Sequence, residues 1–79
     1  MKIGIHGQPE AVELSAAFEG ALALGARPIW RSASDYRQGE VEPFDAVVLS
    51  GTRGKGAAIA ADYQAAGVPV IVLDYGYLR

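Results

Sequence analysis

The sequence predicts an α/β domain in which four parallel strands, in the order 2-1-3-4, carry one helix on each face of the sheet. Two continuous apolar runs, at 46–49 and 68–73, are typical of parallel strands covered on both sides. Strand-like and helical patterns follow one another as β-α-β-β-α-β, which favours a parallel sheet with right-handed crossovers. In this order the two helical crossovers run in opposite directions, so we expect the helices on opposite faces.

The first strand and the first helix have clear boundaries. Residues 2–6 alternate in the manner of a strand and stop at the breaker cluster 7–9. A helix is predicted from Pro9, a favoured first helical residue, and Gly25 is placed to end it in a left-handed cap. Gly20 inside this helix costs about 1 kcal/mol relative to alanine, so we expect a neighbouring element to pack closely there. One helix face is predicted from residues that recur at helical spacing, namely Leu14, Phe18, Ala21 and Leu22.

The rest of the chain repeats this alternation after one long loop. Pro28 places the second strand at a sheet edge, because proline is tolerated near the start of an edge strand. The second helix is predicted from the helical spacing of Ile59, Tyr63 and Ala66, and it ends at Gly67. The edge strand is predicted at 27–31 and a polar loop with room for one helical turn at 32–43. A buried strand follows at 45–49, then a glycine-rich turn at 50–56. After the second helix comes a last strand at 68–73.

Composition excludes several classes of protein. The chain has 79 residues, 51% of them apolar and 20% charged, which predicts a single ordered domain over 1–79. It has no cysteine and one histidine, so a disulfide scaffold and a thiolate zinc site are excluded and a structural metal site is not expected. A net charge of −2 argues against a general nucleic-acid binder. No apolar run approaches the length of a membrane span, so we expect a cytoplasmic protein.

The size of the domain predicts self-association. A four-stranded sheet is about 15–20 Å wide, whereas a helix is about 10 Å across, so apolar surface should remain uncovered on each face. A domain this small buries only about 60% of the surface of its unfolded chain and is marginally stable alone. We therefore expect a homodimer or an obligate complex with another protein.

One candidate site binds an anion at the carboxyl ends of the strands, where open parallel sheets bind ligands. The order 2-1-3-4 corresponds to half of a Rossmann or flavodoxin-like sheet and reverses between the first and third strands. A glycine-rich loop there precedes a helix whose free N–H groups could hold a phosphate. A plain turn is the alternative, because the spacings of a Walker loop and of a dinucleotide fingerprint are both absent. The residues that meet at this place are His6, Gly7, Ser50, Gly51, Thr52, Arg53 and Lys55.

No catalytic residue and no cofactor is predicted. His6 has an intrinsic pKa near 6.5 and Asp74 could orient it, but a histidine at a strand end is commonly a hydrogen-bonded rim residue. Ser50 lacks the Gly-x-Ser-x-Gly elbow, since Val48 and Thr52 stand at the glycine positions.

A second candidate site is a protein-binding surface. The polar loop carries several carboxylates, and tyrosines are enriched at interfaces because they combine a large rigid area with a polar tip. A charged rim around aromatic anchors gives an interface orientation and affinity. Tyrosines of the tail could equally pack on the domain itself. The predicted contact residues are Asp35, Tyr36, Glu40, Glu42, Tyr75 and Tyr77.

Three segments carry a resemblance to known proteins. They are Lys-Ile-Gly-Ile-His-Gly at 2–7, Asp-Ala-Val-Val-Leu-Ser at 45–50 and Val-Leu-Asp-Tyr-Gly-Tyr-Leu-Arg at 72–79. With them the chain resembles short phage-encoded α/β proteins, and also the first half of amidotransferase-like or glycosyltransferase-like domains. The nucleophilic cysteine of an amidotransferase is absent near Asp74. Among small phage products, the chain is similar in size, acidity and compactness to anti-CRISPR proteins of Mu-like phages.

These observations lead to two functional hypotheses. The resemblance to anti-CRISPR proteins implies a non-enzymatic inhibitor that binds a host effector complex and blocks it sterically, and it identifies no site residues. The alternative is a nucleotide- or phosphoester-binding half-domain that uses the glycine-rich loop.

Overall fold

The computed structural model describes residues 1–7, 12–50, 52 and 54–73. The strands are β1 (Lys2–Gly7), β2 (Arg27–Ser32), β3 (Ala46–Ser50) and β4 (Val70–Val72). The helices are α1 (Val12–Ala23) and α2 (Gly56–Ala65), and a single 3-10 turn (Ala33–Asp35) follows β2. The predicted start of the first helix at Pro9 lies outside the described residues.

The strands form one parallel sheet in the order β2-β1-β3-β4, which confirms the predicted fold class. β1 is an inner strand, with Ile5 opposite Trp30 of β2 and Val48 of β3. β4 is shorter than predicted. Val68 and Pro69 were predicted as its first residues but precede it. The N–H of Val68 donates to the carbonyl of Tyr63 at the end of α2, and Pro69 has no N–H to donate to a neighbouring strand.

The two helices cover opposite faces of the sheet. Ile59 and Tyr63 of α2 are fully buried and pack with Val47 of β3. Gly7 of β1 belongs to the other face, and there the side chain of Leu14 from α1 approaches it. This arrangement follows from right-handed crossovers that leave the centre of the sheet in opposite directions.

The segment between β2 and β3 covers the part of the α2 face of the sheet that lies over β1. The ring of Phe44 is buried and lies directly on Gly4. A Cβ atom added at Gly4 would lie 2.9 Å from Cγ of Phe44 and closer still to Cδ2 and Cε2 of the same ring. Asp45 holds the end of the segment on β1, since its N–H donates to the carbonyl of Lys2 at 2.8 Å and its carboxylate accepts from the N–H of Lys2 at 2.7 Å. Gly4 therefore provides the space that Phe44 occupies.

Two expectations for the first helix are wrong. Gly20 has no neighbouring element within 4 Å of an added Cβ, so close packing does not explain this glycine. Leu22 is 61% exposed, although it shares the apolar spacing of the buried Leu14 and Ala21. Leu14 and Ala21 are seven residues apart and share a face, whereas Leu22 is a further 100° around the helix. The predicted left-handed cap is confirmed at Gly25, where φ is 78°.

Apolar side chains remain exposed at the β4 edge, as expected for a sheet wider than its helices. Ile71 is 52% exposed and Val72 is 57% exposed. Among the described residues, neither helix has the length and apolar character needed to cross a bilayer.

We predict that Gly4→Ala lowers the free energy of unfolding by about 2 kcal/mol, because overpacking a filled core costs roughly 1–3 kcal/mol. Gly20→Ala is the matched control. It should raise the same free energy by about 0.5–1 kcal/mol, since Gly20 lies in open space inside a helix. Urea unfolding of both variants measures the difference. Equal stabilities would show that Phe44 does not depend on the space above Gly4.

Candidate binding cavity

A cavity of about 560 Å³ opens at the carboxyl ends of β1 and β2. Three parts of the chain surround it: the end of β1, the end of β2 and the segment between β2 and β3. Its volume lies within the range of natural ligand sites. The residues that line it are His6, Trp30, Arg31, Ser32, Asp35, Tyr36, Glu40 and Glu42.

Arg31 and Glu42 form a bidentate ion pair in the cavity wall. Nε and Nη2 of Arg31 each donate to a carboxylate oxygen of Glu42 at 2.9 Å, and Nη1 donates to the carbonyl of Trp30 at 3.0 Å. The Arg31 guanidinium holds the pKa of Glu42 below its usual value. The pair connects β2 to the loop that crosses in front of it. Since both side chains are partly exposed, its contribution is chiefly orientation.

The outer wall of the cavity is fastened to α2 and to the turn before it. Asp62 of α2 accepts a hydrogen bond from the hydroxyl of Tyr36 and another from the N–H of Gly39, the latter at 2.8 Å. Lys55 donates to the carbonyls of Ser34 and Tyr36, at 2.9 and 3.3 Å. Burial, followed by the bond to Asp62, raises the pKa of Tyr36, and the bond from Tyr36 lowers the pKa of Asp62. These hydrogen bonds hold the loop in place, although the loop has no helix or strand beyond its single 3-10 turn.

His6 lies at the floor of the cavity in an aromatic surrounding. It is only 2% exposed, and its ring makes edge contacts with Tyr36, Phe44 and Tyr63 at centroid distances of 5.5 to 6.1 Å. Burial lowers its pKa, an effect that Glu42 opposes and Arg31 reinforces. Among the described residues, no group is hydrogen bonded to Nδ1. His6 is therefore a neutral imidazole at pH 7 with unused hydrogen-bonding capacity.

Trp30 is a cavity residue that the sequence analysis did not assign to a site. Its Nε1 donates to the carbonyl of Gly7 at 3.1 Å, which fixes the indole against the end of β1, and 37% of the residue stays exposed. Arg31 and Ser32 also line the cavity and were likewise not assigned to a site from the sequence. The available signal was their position at the carboxyl end of the strand next to β1, where ligands of parallel sheets bind.

Four of the predicted partner-binding residues lie on the wall of this one cavity, and they are Asp35, Tyr36, Glu40 and Glu42. The other two, Tyr75 and Tyr77, lie outside the described residues. His6, predicted for the anion site, joins the four instead, because its side chain leaves the sheet on the face that the polar loop covers.

The remaining predicted anion-site residues that the structure describes are not among those that line the cavity. Ser50 follows Leu49, the partner of His6, so its side chain faces the opposite side of the sheet. It is fully buried, and Oγ has no hydrogen-bond partner within the described residues. Thr52 is buried as well, and an added Cβ at Gly7 would overlap the carbonyl oxygen of Ser50. The ammonium of Lys55 is directed to loop carbonyls. Gly51, Arg53 and Asp74 lie outside the described residues.

The described residues hold no group of three histidine or acidic side chains placed to ligate a metal ion. Among the described residues, the side chains that line the cavity are three carboxylates, one guanidinium, one imidazole, one serine hydroxyl and two aromatic rings.

We predict that stability falls as pH decreases from about 7.5 to 5 and that His6 causes most of this fall. The unfolded chain binds a proton near pH 6.5, whereas the folded chain, whose His6 pKa is lowered, binds it only at lower pH. His6→Phe should remove this slope, since phenylalanine fits the aromatic surrounding and does not titrate. Urea unfolding at several pH values measures the effect.

The pH window separates His6 from the carboxylates, because the pKa values of Glu42 and Asp62 are lowered and their contribution is lost only in more acidic solution. His6 is the single histidine of the chain. An unchanged slope between pH 7.5 and 5 in His6→Phe would contradict a buried neutral imidazole.

Comparison with known proteins returned no relative of this chain. A scan of protein-family models, a search of curated proteins and a search of solved structures each found no match. The function proposed below therefore depends on the contacts, burial and charges of the described residues.

Proposed function

We propose that the protein is a non-enzymatic binding module whose cavity receives a basic side chain of a protein partner. The observation that carries this proposal is the placement of Asp35, Glu40 and Glu42 around one cavity, against the single guanidinium of Arg31. The neutral imidazole of His6 adds no positive charge at pH 7. The cavity is acidic for this reason, and it complements a cation.

The same charges disfavour the alternative, a phosphate or nucleotide ligand. Arg31 is already paired with Glu42, and the ammonium of Lys55 is bound to two backbone carbonyls. A phosphate in this cavity would meet the carboxylates of Asp35 and Glu40, and like charges repel it. Of the two cations predicted for the glycine-rich loop, Lys55 lies within the described residues, and its ammonium is bound to backbone carbonyls.

The partner class that the resemblance implies fits an acidic cavity. CRISPR effector complexes hold nucleic acid in positively charged channels, so they present arginine and lysine side chains. A module with an acidic, aromatic-lined cavity could bind such a channel and exclude nucleic acid sterically. We include a host effector complex in the proposal on this ground.

A nuclear magnetic resonance titration of the full chain tests the proposal. The probes are a short peptide with arginine and lysine residues, a peptide of equal length with glutamate, and ATP. We expect the basic peptide to shift the amide signals of residues 31–42 and the indole signal of Trp30. Glu40→Gln should weaken its binding about two- to fivefold, since exposed charge pairs contribute up to about 1 kcal/mol.

Glu19→Gln is the matched control, because Glu19 is exposed on α1 and its loss changes the net charge equally. It should leave the affinity unchanged at 0.15 M salt, where charges more than about 8 Å apart are screened. Shifts caused by ATP at residues 50–56, without any from the basic peptide, would refute the acidic cavity and favour the anion site.

We also propose a homodimer formed through β4. Ile71 and Val72 are exposed on this edge strand, and residues 66–73 contain no charged side chain. Charged residues and proline commonly protect edge strands from pairing with other chains, and β4 itself has neither, since Pro69 lies just before it. Two copies that pair along β4 would cover both apolar side chains.

Analytical ultracentrifugation tests the homodimer. We expect a mass near twice the 8.3 kDa of the chain at micromolar concentration. Ile71→Lys should shift the protein to monomer, because it places like charges together across a symmetric contact. Leu24→Lys, a matched change at an exposed apolar residue after α1, should not. A wild-type monomer with a cooperative melt at these concentrations would contradict the dimer.

A further inference from the structure

His6 is a titratable group that the fold seals beneath the cavity wall. It is 2% exposed, and its Nδ1 is closed off from solvent without a hydrogen-bond partner in the described part of the chain. In a protonated imidazole both ring nitrogens are donors, so Nδ1 would become a buried N–H without an acceptor. The closed structure therefore disfavours the charged form of His6, and a conformation that admits water to the ring favours it.

Of the three rings that enclose His6, one can leave at little cost. Tyr63 is fully buried and Phe44 is 5% exposed, whereas Tyr36 is only half-buried. Residues 37–41, which follow Tyr36, are exposed and contain no helix or strand. We call residues 36–42 the wall segment. Its movement away from His6 would expose little additional apolar surface, because most of it already faces water.

The wall segment is held by contacts near the protein surface. At its start, Asp62 of α2 accepts hydrogen bonds from the hydroxyl of Tyr36 and the N–H of Gly39. At its end, Glu42 pairs with Arg31 of β2. Exposed hydrogen bonds and ion pairs compete with water and contribute little to stability. Segments that are held in this way open locally while the core stays folded.

The other titratable groups around His6 do not offset the cost of burying its charge. Burial has the largest effect and lowers the pKa of His6, while Glu42 raises it and Arg31 lowers it. The remaining titratable groups near the ring are two carboxylates and two phenols, those of Asp35, Glu40, Tyr36 and Tyr63. Burial raises the pKa of both phenols, so they are neutral, and neither carboxylate is hydrogen bonded to Nδ1.

We propose that the wall segment is a pH-sensitive switch, which detaches from α2 when His6 takes up a proton while the sheet and both helices stay folded. Water solvates the imidazolium in the open state, so acid shifts the equilibrium toward opening. The open state lacks the outer wall of the cavity, and ligand binding should therefore weaken as the pH falls. That consequence rests on the proposed function, whereas the opening is a property of the free protein.

Hydrogen exchange of the free full chain, followed by nuclear magnetic resonance between pH 7.5 and 5, tests this switch. Each measured rate is compared with the intrinsic rate at the same pH, which gives the protection of that amide. The probes of the wall segment are the N–H groups of Gly39 and Glu42, which donate to side chains of α2. The probe of the core is the N–H of Val47, which donates to the carbonyl of Pro69.

We expect the protection of Gly39 and Glu42 to be lower than that of Val47 at pH 7.5. Between pH 7.5 and 5 it should fall by at least about fivefold and at most about thirtyfold, the limit for an imidazole with a pKa near 6.5 that is hydrated only in the open state. Glu42 and Asp62 keep their charge over this range because their pKa values are lowered, so they do not produce the change.

Two variants separate the sensing group from the attachment. His6→Phe preserves the aromatic contacts but does not titrate, so the protection of Gly39 and Glu42 should become constant between pH 7.5 and 5. Asp62→Asn weakens the attachment without changing His6. In this variant the protection should be lower at every pH, and its dependence on pH should persist.

The wild-type measurement can overturn the switch without any variant. Constant protection of the wall segment between pH 7.5 and 5 would do so. Equal protection of the wall segment and of Val47 would also do so, because His6 would then be hydrated only in the unfolded chain. A dependence on pH that persists in His6→Phe would overturn the role of His6. These measurements contain no ligand, so a failure here leaves the acidic cavity to be tested by the basic peptide.

Discussion

The width of the sheet is the constraint on which the rest of this structure depends. Four strands at about 4.8 Å spacing are wider than one helix, so α2 cannot cover its whole face of the sheet. The segment between β2 and β3 covers the remainder, with Phe44 lying on Gly4 where any larger residue would collide. The cavity exists because this cover is an irregular segment, whose polar part leaves space above the ends of β1 and β2.

An irregular cover needs its backbone and side chains fixed by other elements. Asp62 binds the start of the segment through Tyr36 and Gly39, and Lys55 binds two of its carbonyls. At its other end, the N–H of Glu42 donates to the hydroxyl of the buried Tyr63 at 3.2 Å. α2 and the turn before it thus position the cavity wall while contributing no lining residue of their own among those described. These contacts hold the backbone of the segment, and in the binding module proposed above such preorganisation would lower the entropic cost of binding.

The electrostatics of the cavity follow from burial. His6 sits among three aromatic rings, so its charged form is disfavoured and the site keeps its negative character at neutral pH. Glu42 is balanced by Arg31, whereas Asp35 and Glu40 remain open to solvent. The combination is typical of recognition surfaces, in which exposed charges guide association and a buried polar group adds specificity.

The sequence by itself determined the strands, the helices and their order, because apolar runs, helical spacing and glycines such as Gly25 act over short distances along the chain. It also identified the acidic loop, since Asp35, Glu40 and Glu42 are close in sequence. Only the tertiary structure joined that loop to His6 and Trp30, brought Arg31 onto Glu42 and separated Ser50 from His6. These relations depend on strand register and on which face each side chain occupies, and such distances between remote residues are fixed by packing rather than by local preference.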